Sequence, residues 1–225
     1  MVADNMPVVL SSCACANRWT SSQSVGGAHA ALVRSVNVLV DVTNGAILRA
    51  DGANALWYPA SLTKMMTSYM VEQALRTGKL KQNDLVSVSQ NAWCRGSGTE
   101  SCMYLPLNSQ ATVIDILRGI IVQSGNDASK AIAEHMAGSE AGFAKLMNAE
   151  AQRLGMKNTH FVNPTGLPDP QHKSSAHDLA TLARAIIRDG AEYYPIAAIR
   201  RAVAARPRFV HELVPVGLRE ANLVV

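Results

Sequence analysis

Two apolar helical runs meet at Gln123-Ser124-Gly125-Asn126-Asp127, and no other stretch constrains the fold as strongly. The first run, residues 111–122, sets Ile114, Ile116, Leu117, Ile120 and Ile121 at helical spacing behind a Thr112/Asp115 capping pair. The second, residues 128–137, resumes at once, and a third spans about 140–154 and stops at Gly155. Ser, Gly, Asn and Asp form turns readily, so the chain bends sharply here. Such a corner between apolar helices points polar side chains into the interior. That is costly unless the corner lines a cleft.

A second stretch carries matching chemistry. Pro59-Ala60-Ser61-Leu62-Thr63-Lys64 leads into an apolar-periodic run over residues 62–76, which Gly78 stops. On a helix, Ser61 occupies the first turn and Lys64 lies one turn on, on the same face. The helix N-terminus favours an alkoxide and offers N–H groups to a developing oxyanion. An amine within reach of the hydroxyl can act as its base once burial and neighbouring positive charge favour the neutral form. Ser-x-x-Lys alone is a weak signal, expected about once by chance in a chain of this size, and Ser61/Lys64 is its one instance here. The polar corner strengthens it: Ser124 can relay a proton to a leaving amine, and Asn126 can orient a substrate amide.

The remaining elements follow in order. Residues 36–42 and 46–50 are strand-like runs around Thr43-Asn44-Gly45, the turn chemistry of a β-hairpin. Residues 85–88 read as a short strand, 91–110 as loop, 156–175 as a loop holding Asn163-Pro164-Thr165-Gly166, and 176–188 as a helix. Met65, Met66 and Met70 read as core filler rather than a binding box. His160, His172 and His177 have no partner at fixed spacing and read as solvated or capping histidines.

At 225 residues the chain is one ordinary domain, and no apolar run reaches the roughly 18 residues of a membrane span. Its net charge of +4 is uneven, since the five arginines and two glutamates of residues 197–225 leave about +1 for everything else. Nucleic acid, nucleotide and metal therefore find no support as partners. Cys13/Cys15 and Cys94/Cys102 lack zinc-site spacing and read first as unpaired thiols. A Cys94–Cys102 disulfide stays open for an oxidising compartment. Residues 1–30 read as an irregular segment resembling a degenerate signal peptide, with Ala14-Cys15-Ala16 placed like a cleavage site but a short apolar core and no basic flank.

Over residues 36–196 the sequence resembles the low-molecular-weight penicillin-binding proteins, the serine D-alanyl-D-alanine carboxypeptidases of peptidase family S11. The matching segments are YPASLTKMMTSY, IIVQSGNDAS, AGSEAGFAKLMNAEAQRLGMKNTHFVNPTGLPD and DLATLARAIIRD. The resemblance implies an α/β (α+β) fold of the serine β-lactamase/transpeptidase type, a helical cluster packed on an antiparallel sheet, over residues 31–196. It implies that Ser61 is the acylated nucleophile, Lys64 its base, and Ser124 and Asn126 the second motif. The implied substrate is a peptidoglycan stem peptide ending in D-Ala-D-Ala, and β-lactams would acylate the same serine. No cofactor is implied, and the location implied is the periplasm or cell envelope.

One departure stands out. The family's third motif, Lys-Thr-Gly on a strand lining the cleft, occurs nowhere in the sequence, and Thr165-Gly166 follows Pro164 in a different part of the chain. Residues 197–225 turn Ala/Arg-rich where the family's remaining strands begin, so the expectation is a truncated or frameshifted tail. The sheet would lack its C-terminal strands, the family's membrane anchor would be absent, and activity would be impaired. Two alternatives follow: a non-catalytic binder of β-lactams or muropeptides, and a class A-type β-lactamase. The latter requires a Glu-x-x-Leu-Asn motif that the sequence lacks.

Overall fold

The computed structural model describes residues 7–11, 36–95, 100–189 and 192–193. The tail from residue 197, the Cys13/Cys15 pair and most of the N-terminal segment lie outside the described residues, and so do the expectations placed on them.

The hairpin forms as its turn chemistry predicts. Strand β2 (Asn37–Asp41) pairs antiparallel with β3 (Ile47–Asp51), with an irregularity between Leu39 and Val40. Asp41 organises the turn. Its carboxylate accepts from Thr43 N at 2.8 Å and Asn44 Nδ2 at 3.0 Å, and Asn44 Oδ1 accepts from Ala46 N at 2.7 Å. These donors, Thr43 foremost, hold the Asp41 carboxyl below the usual carboxylate range. Strand β1 (Pro7–Ser11) adds to the other edge of β2, antiparallel, with Pro7 opposite Asp41. This corrects the expectation of an irregular segment for those five residues. An unpaired strand edge is a row of free donors and acceptors, and a nearby extended run satisfies it.

Five helices follow the sequence periodicity closely: α1 (Thr63–Arg76), α2 (Val113–Gln123), α3 (Asn126–Ala137), α4 (Glu140–Leu154) and α5 (Ala176–Asp189). Thr112 caps α2 as its spacing to Asp115 predicts, Thr112 Oγ1 accepting from Asp115 N at 3.3 Å. One small element escapes the periodicity. Residues 110–112, read as loop running into helix, form strand β5 (Gln110–Thr112) against β4 (Leu85–Ser87). An N-cap residue has extended backbone, and here Thr112 ends the strand as it starts the helix.

Three apolar clusters place α1 at the centre. Val71 and Ala74 pack with Val86, Ile116, Ile120, Ala128 and Ile132, whereas Met66 and Tyr69 pack with Phe143, Met147, Phe161 and Leu182. The methionines are core filler as expected, Met66 fully buried and Met65 and Met70 at the margin. The third cluster sets α5 on the sheet, where Leu179, Ala180 and Ala183 meet the inward-facing Val38 and Val40 of β2. Because helices pack on both sides of α1, nine of its fourteen residues are buried, Lys64, Thr67, Ser68 and Glu72 among them. A helix this enclosed must find partners for polar groups inside the protein.

Candidate active site

Ser61 sits in a short 3-10 turn, Ala60–Leu62, that tightens the chain just before α1. Its side chain is exposed while Lys64, three residues on, is buried. Ala60 adopts φ +47°, a left-handed conformation that costs an alanine about 1–2 kcal/mol. Tertiary contacts hold it there. Leading into the turn, Trp57 and Ser174 exchange backbone hydrogen bonds of 2.9 Å in both directions. Gly166 presses on the turn from the other side, and a Cβ on it would overlap the Ala60 carbonyl. At φ +84° that position suits glycine on conformational grounds as well.

The segment read from sequence as a plain loop therefore packs on the residues flanking Ser61. Lys64 Nζ donates to Thr165 O at 2.7 Å, and Thr67 Oγ1 donates to Pro164 O at 2.7 Å. Asn163 shapes the loop, its Oδ1 accepting from Thr165 N at 3.1 Å, Thr165 Oγ1 at 2.9 Å and Gly166 N at 2.8 Å. His172 corrects the solvated-histidine reading. It is buried, its Nδ1 accepts from Val162 N at 3.1 Å, and its Nε2 lies 2.8 Å from Thr63 Oγ1. With Nδ1 accepting, the ring proton of the neutral form is on Nε2, which donates to Thr63. Burial pushes this imidazole down to about 4, so it is neutral near pH 7. No local spacing signals this partnership, since 109 residues separate the two side chains. His160 and His177 do not join it. His160 Nδ1 lies 3.1 Å from Gln171 O, and His177 is 41% exposed beside Asp178.

The α2–α3 corner is built from equally unusual backbone. Ser124 caps α2 in the left-handed region at φ 55°, and α3 starts at Asn126 without a side-chain cap. Ser124 Oγ is buried and has no hydrogen-bond partner, a condition rare enough in folded proteins to need a reason. Asn126 is buried, with Nδ2 donating to Glu100 Oε2 at 2.9 Å. Asp127 faces the preceding segment, Oδ1 accepting from Met103 N at 2.8 Å and Oδ2 from Leu105 N at 3.0 Å. Cys94 and Cys102 are joined in a disulfide with Cα atoms 6.2 Å apart, which corrects the first reading of free thiols. Cys94, Glu100 and Cys102 also place potential ligand atoms within 4.8 Å of one another. Sulfurs bonded to each other are not thiolates, so the cluster is not a metal site in this state.

Helix α1 packs against both α2 and α3, which sets the Ser61–Lys64 turn and the Ser124–Asn126 corner on neighbouring elements. Glu100, Asp127, Thr165, Gly166 and His172 were not among the residues expected to build the site. Among the described residues, no helix is long and apolar enough to cross a membrane.

The peptidase S11 family model, described as D-alanyl-D-alanine carboxypeptidase, matches residues 24–215. The D-alanyl-D-alanine carboxypeptidase DacA of Haemophilus influenzae is 49% identical over 159 residues, 71% of this chain and 40% of that protein. Penicillin-binding protein 5 from Haemophilus influenzae, a solved structure, superposes with a TM-score of 0.69 at 49% identity, covering 71% of this chain and 46% of its own. Penicillin-Binding Protein D2 from Listeria monocytogenes, solved in an ampicillin-bound form, superposes at a TM-score of 0.58 and 27% identity, over 69% of this chain and 62% of its own. The chain thus spans about two-fifths of the curated relative's length. The fold is the one expected, a helical cluster on an antiparallel sheet of the transpeptidase type. The match over most of the sequence and the agreement in fold place this chain in the D-alanyl-D-alanine carboxypeptidase family, peptidase S11.

Proposed function

We propose that the chain is a serine D-Ala-D-Ala carboxypeptidase acting on peptidoglycan stem peptides in the cell envelope. The observation that carries the reading is an exposed Ser61 on a strained turn with Lys64, one helical turn on, enclosed by protein. Ser61 Oγ attacks the carbonyl carbon of the penultimate D-Ala, and Lys64 takes the hydroxyl proton. The tetrahedral oxyanion forms beside the start of α1, where backbone N–H groups favour negative charge. Ser124 relays the proton from Lys64 to the departing D-Ala nitrogen as the C–N bond breaks, and its orphaned hydroxyl gains partners at that moment. Asn126 orients the stem peptide's amide. Water then hydrolyses the ester on Ser61, returning the enzyme and a peptide shortened by one D-Ala.

A β-lactam presents the same reactive carbonyl and would acylate Ser61. The second reading is reversible β-lactam or muropeptide binding without chemistry. A fluorescent penicillin separates the two. Covalent label on Ser61, found by peptide mass mapping and abolished in Ser61→Ala, is the expected result. Saturable binding without an adduct supports the second reading, and label on any other residue sinks the proposal. Release of D-alanine from an acyl-D-Ala-D-Ala tripeptide then tests the carboxypeptidase step itself.

A further inference from the structure

Asn126 does not stand alone at the corner. Its Nδ2 donates to Glu100 Oε2 at 2.9 Å, and its backbone N–H donates to Ser101 O at 2.8 Å. An unrestrained asparagine amide exchanges its oxygen and nitrogen by a half-turn, presenting opposite polarity to a substrate. A carboxylate only accepts hydrogen bonds, so it holds the amide with Nδ2 toward itself and disfavours the flipped form, in which two oxygens would meet. One amide N–H is then committed to Glu100, and the oxygen and second N–H keep one defined direction.

Glu100 can impose this because its own position is tied down. Cys102, two residues on, is bonded to Cys94. Just beyond it, Met103 N and Leu105 N donate to the two carboxylate oxygens of Asp127, the residue after Asn126. Glu100 and Asn126 therefore belong to two segments laced together just beyond the contact, through Ser101, Met103 and Leu105. The lacing keeps the Glu100 backbone beside the corner, within reach of the amide.

We propose that Glu100 is a positioning residue that acts through Asn126, fixing the polarity of the amide that meets the substrate. This rests on the acylation reading given under Proposed function. The test measures the second-order rate of Ser61 acylation by a fluorescent penicillin on the full chain. It compares wild type, Glu100→Ala, Glu100→Gln, Asn126→Ala and the double variant Glu100→Ala/Asn126→Ala, each checked for folding by thermal melting. Losing a hydrogen bond to a charged group corresponds to roughly a tenfold slower acylation for Glu100→Ala. Glu100→Gln keeps an oxygen acceptor and stays within about threefold of wild type. The double variant is no slower than Asn126→Ala alone, because Glu100 has nothing left to orient. Additive losses in the double variant overturn the inference, as does Glu100→Ala acylating at the wild-type rate. A loss in both Glu100 variants that tracks a lowered melting temperature overturns it too, since that is a structural effect. A folded wild-type chain that takes no label removes the acylation reading and this inference with it. Normal wild-type labelling with additive variants removes the inference alone.

Discussion

Glu72 and His172 are both buried, and their titrations oppose each other. Burial pushes the Glu72 carboxyl up to about 7 against the weaker pull of Arg76, and it pushes the His172 imidazole down to about 4. The glutamate's contribution to stability is complete below its unfolded pKa near 4.5 and is lost as pH rises through about 7. The histidine's contribution is complete above its unfolded pKa near 6.5 and is lost as pH falls toward 4. Between about 4.5 and 6.5 the two slopes have opposite sign, so the wild-type melting temperature changes little from this pair. Glu72→Gln unmasks the histidine, and stability then climbs with pH across that window. His172→Gln unmasks the glutamate and gives a fall instead. Melting temperatures at half-unit pH intervals read both slopes, and parallel profiles for the two variants would refute the assignment. Gly166 offers a sharper test at the same scale. Gly166→Ala adds a left-handed strain of about 1–2 kcal/mol and drives a methyl into the Ala60 carbonyl, with Thr63 Oγ1 only 2.9 Å from it. We expect a melting temperature lower by several degrees and acylation of Ser61 slowed at least tenfold, measured on the same preparation.

Among the elements, α1 depends on partners far away in sequence. Tyr69 OH donates to Asp189 Oδ2 at 2.9 Å and accepts from Arg153 Nη2 at 3.1 Å, joining α1 to the ends of α5 and α4. Burial, with the Asp189 carboxylate beside it, pushes the phenol up to about 12. Tyr69→Phe keeps the packing and removes both bonds, at a cost of about 1–3 kcal/mol. The denaturant midpoint should fall with the slope unchanged, because the same surface is exposed on unfolding. An unchanged midpoint would show that the junction contributes nothing. Element boundaries were legible in the sequence wherever a local device sets them. Thr112 with Asp115, Gly155, and Asn44-Gly45 each do their work within a few residues. Strand β5 was not legible, since three residues carry too little period to stand out. The importance of residues 159–175 was hidden for a different reason. Loop composition reports that a segment turns, and it is silent about what the segment touches.

At the scale of the whole molecule, family membership reaches most of the chain, while the chain itself spans about two-fifths of its curated relative. Ser61, Lys64, Ser124 and Asn126 were singled out from short-range patterns and from the segments shared with the family. Those patterns work because a nucleophile at a helix start and its base one turn on are encoded within four residues. By itself the sequence determined the helices, the hairpin, the family and the residues on which chemistry is proposed. Tertiary structure alone decided that Cys94 and Cys102 are joined, that His172 is neutral against Thr63, and that Glu100 holds Asn126. It also decided that Gly166 presses on the turn before Ser61. The physical reason is common to all four. Local periodicity and capping depend on neighbours in the chain, whereas burial and the pairing of buried polar groups depend on which distant segments the core brings together.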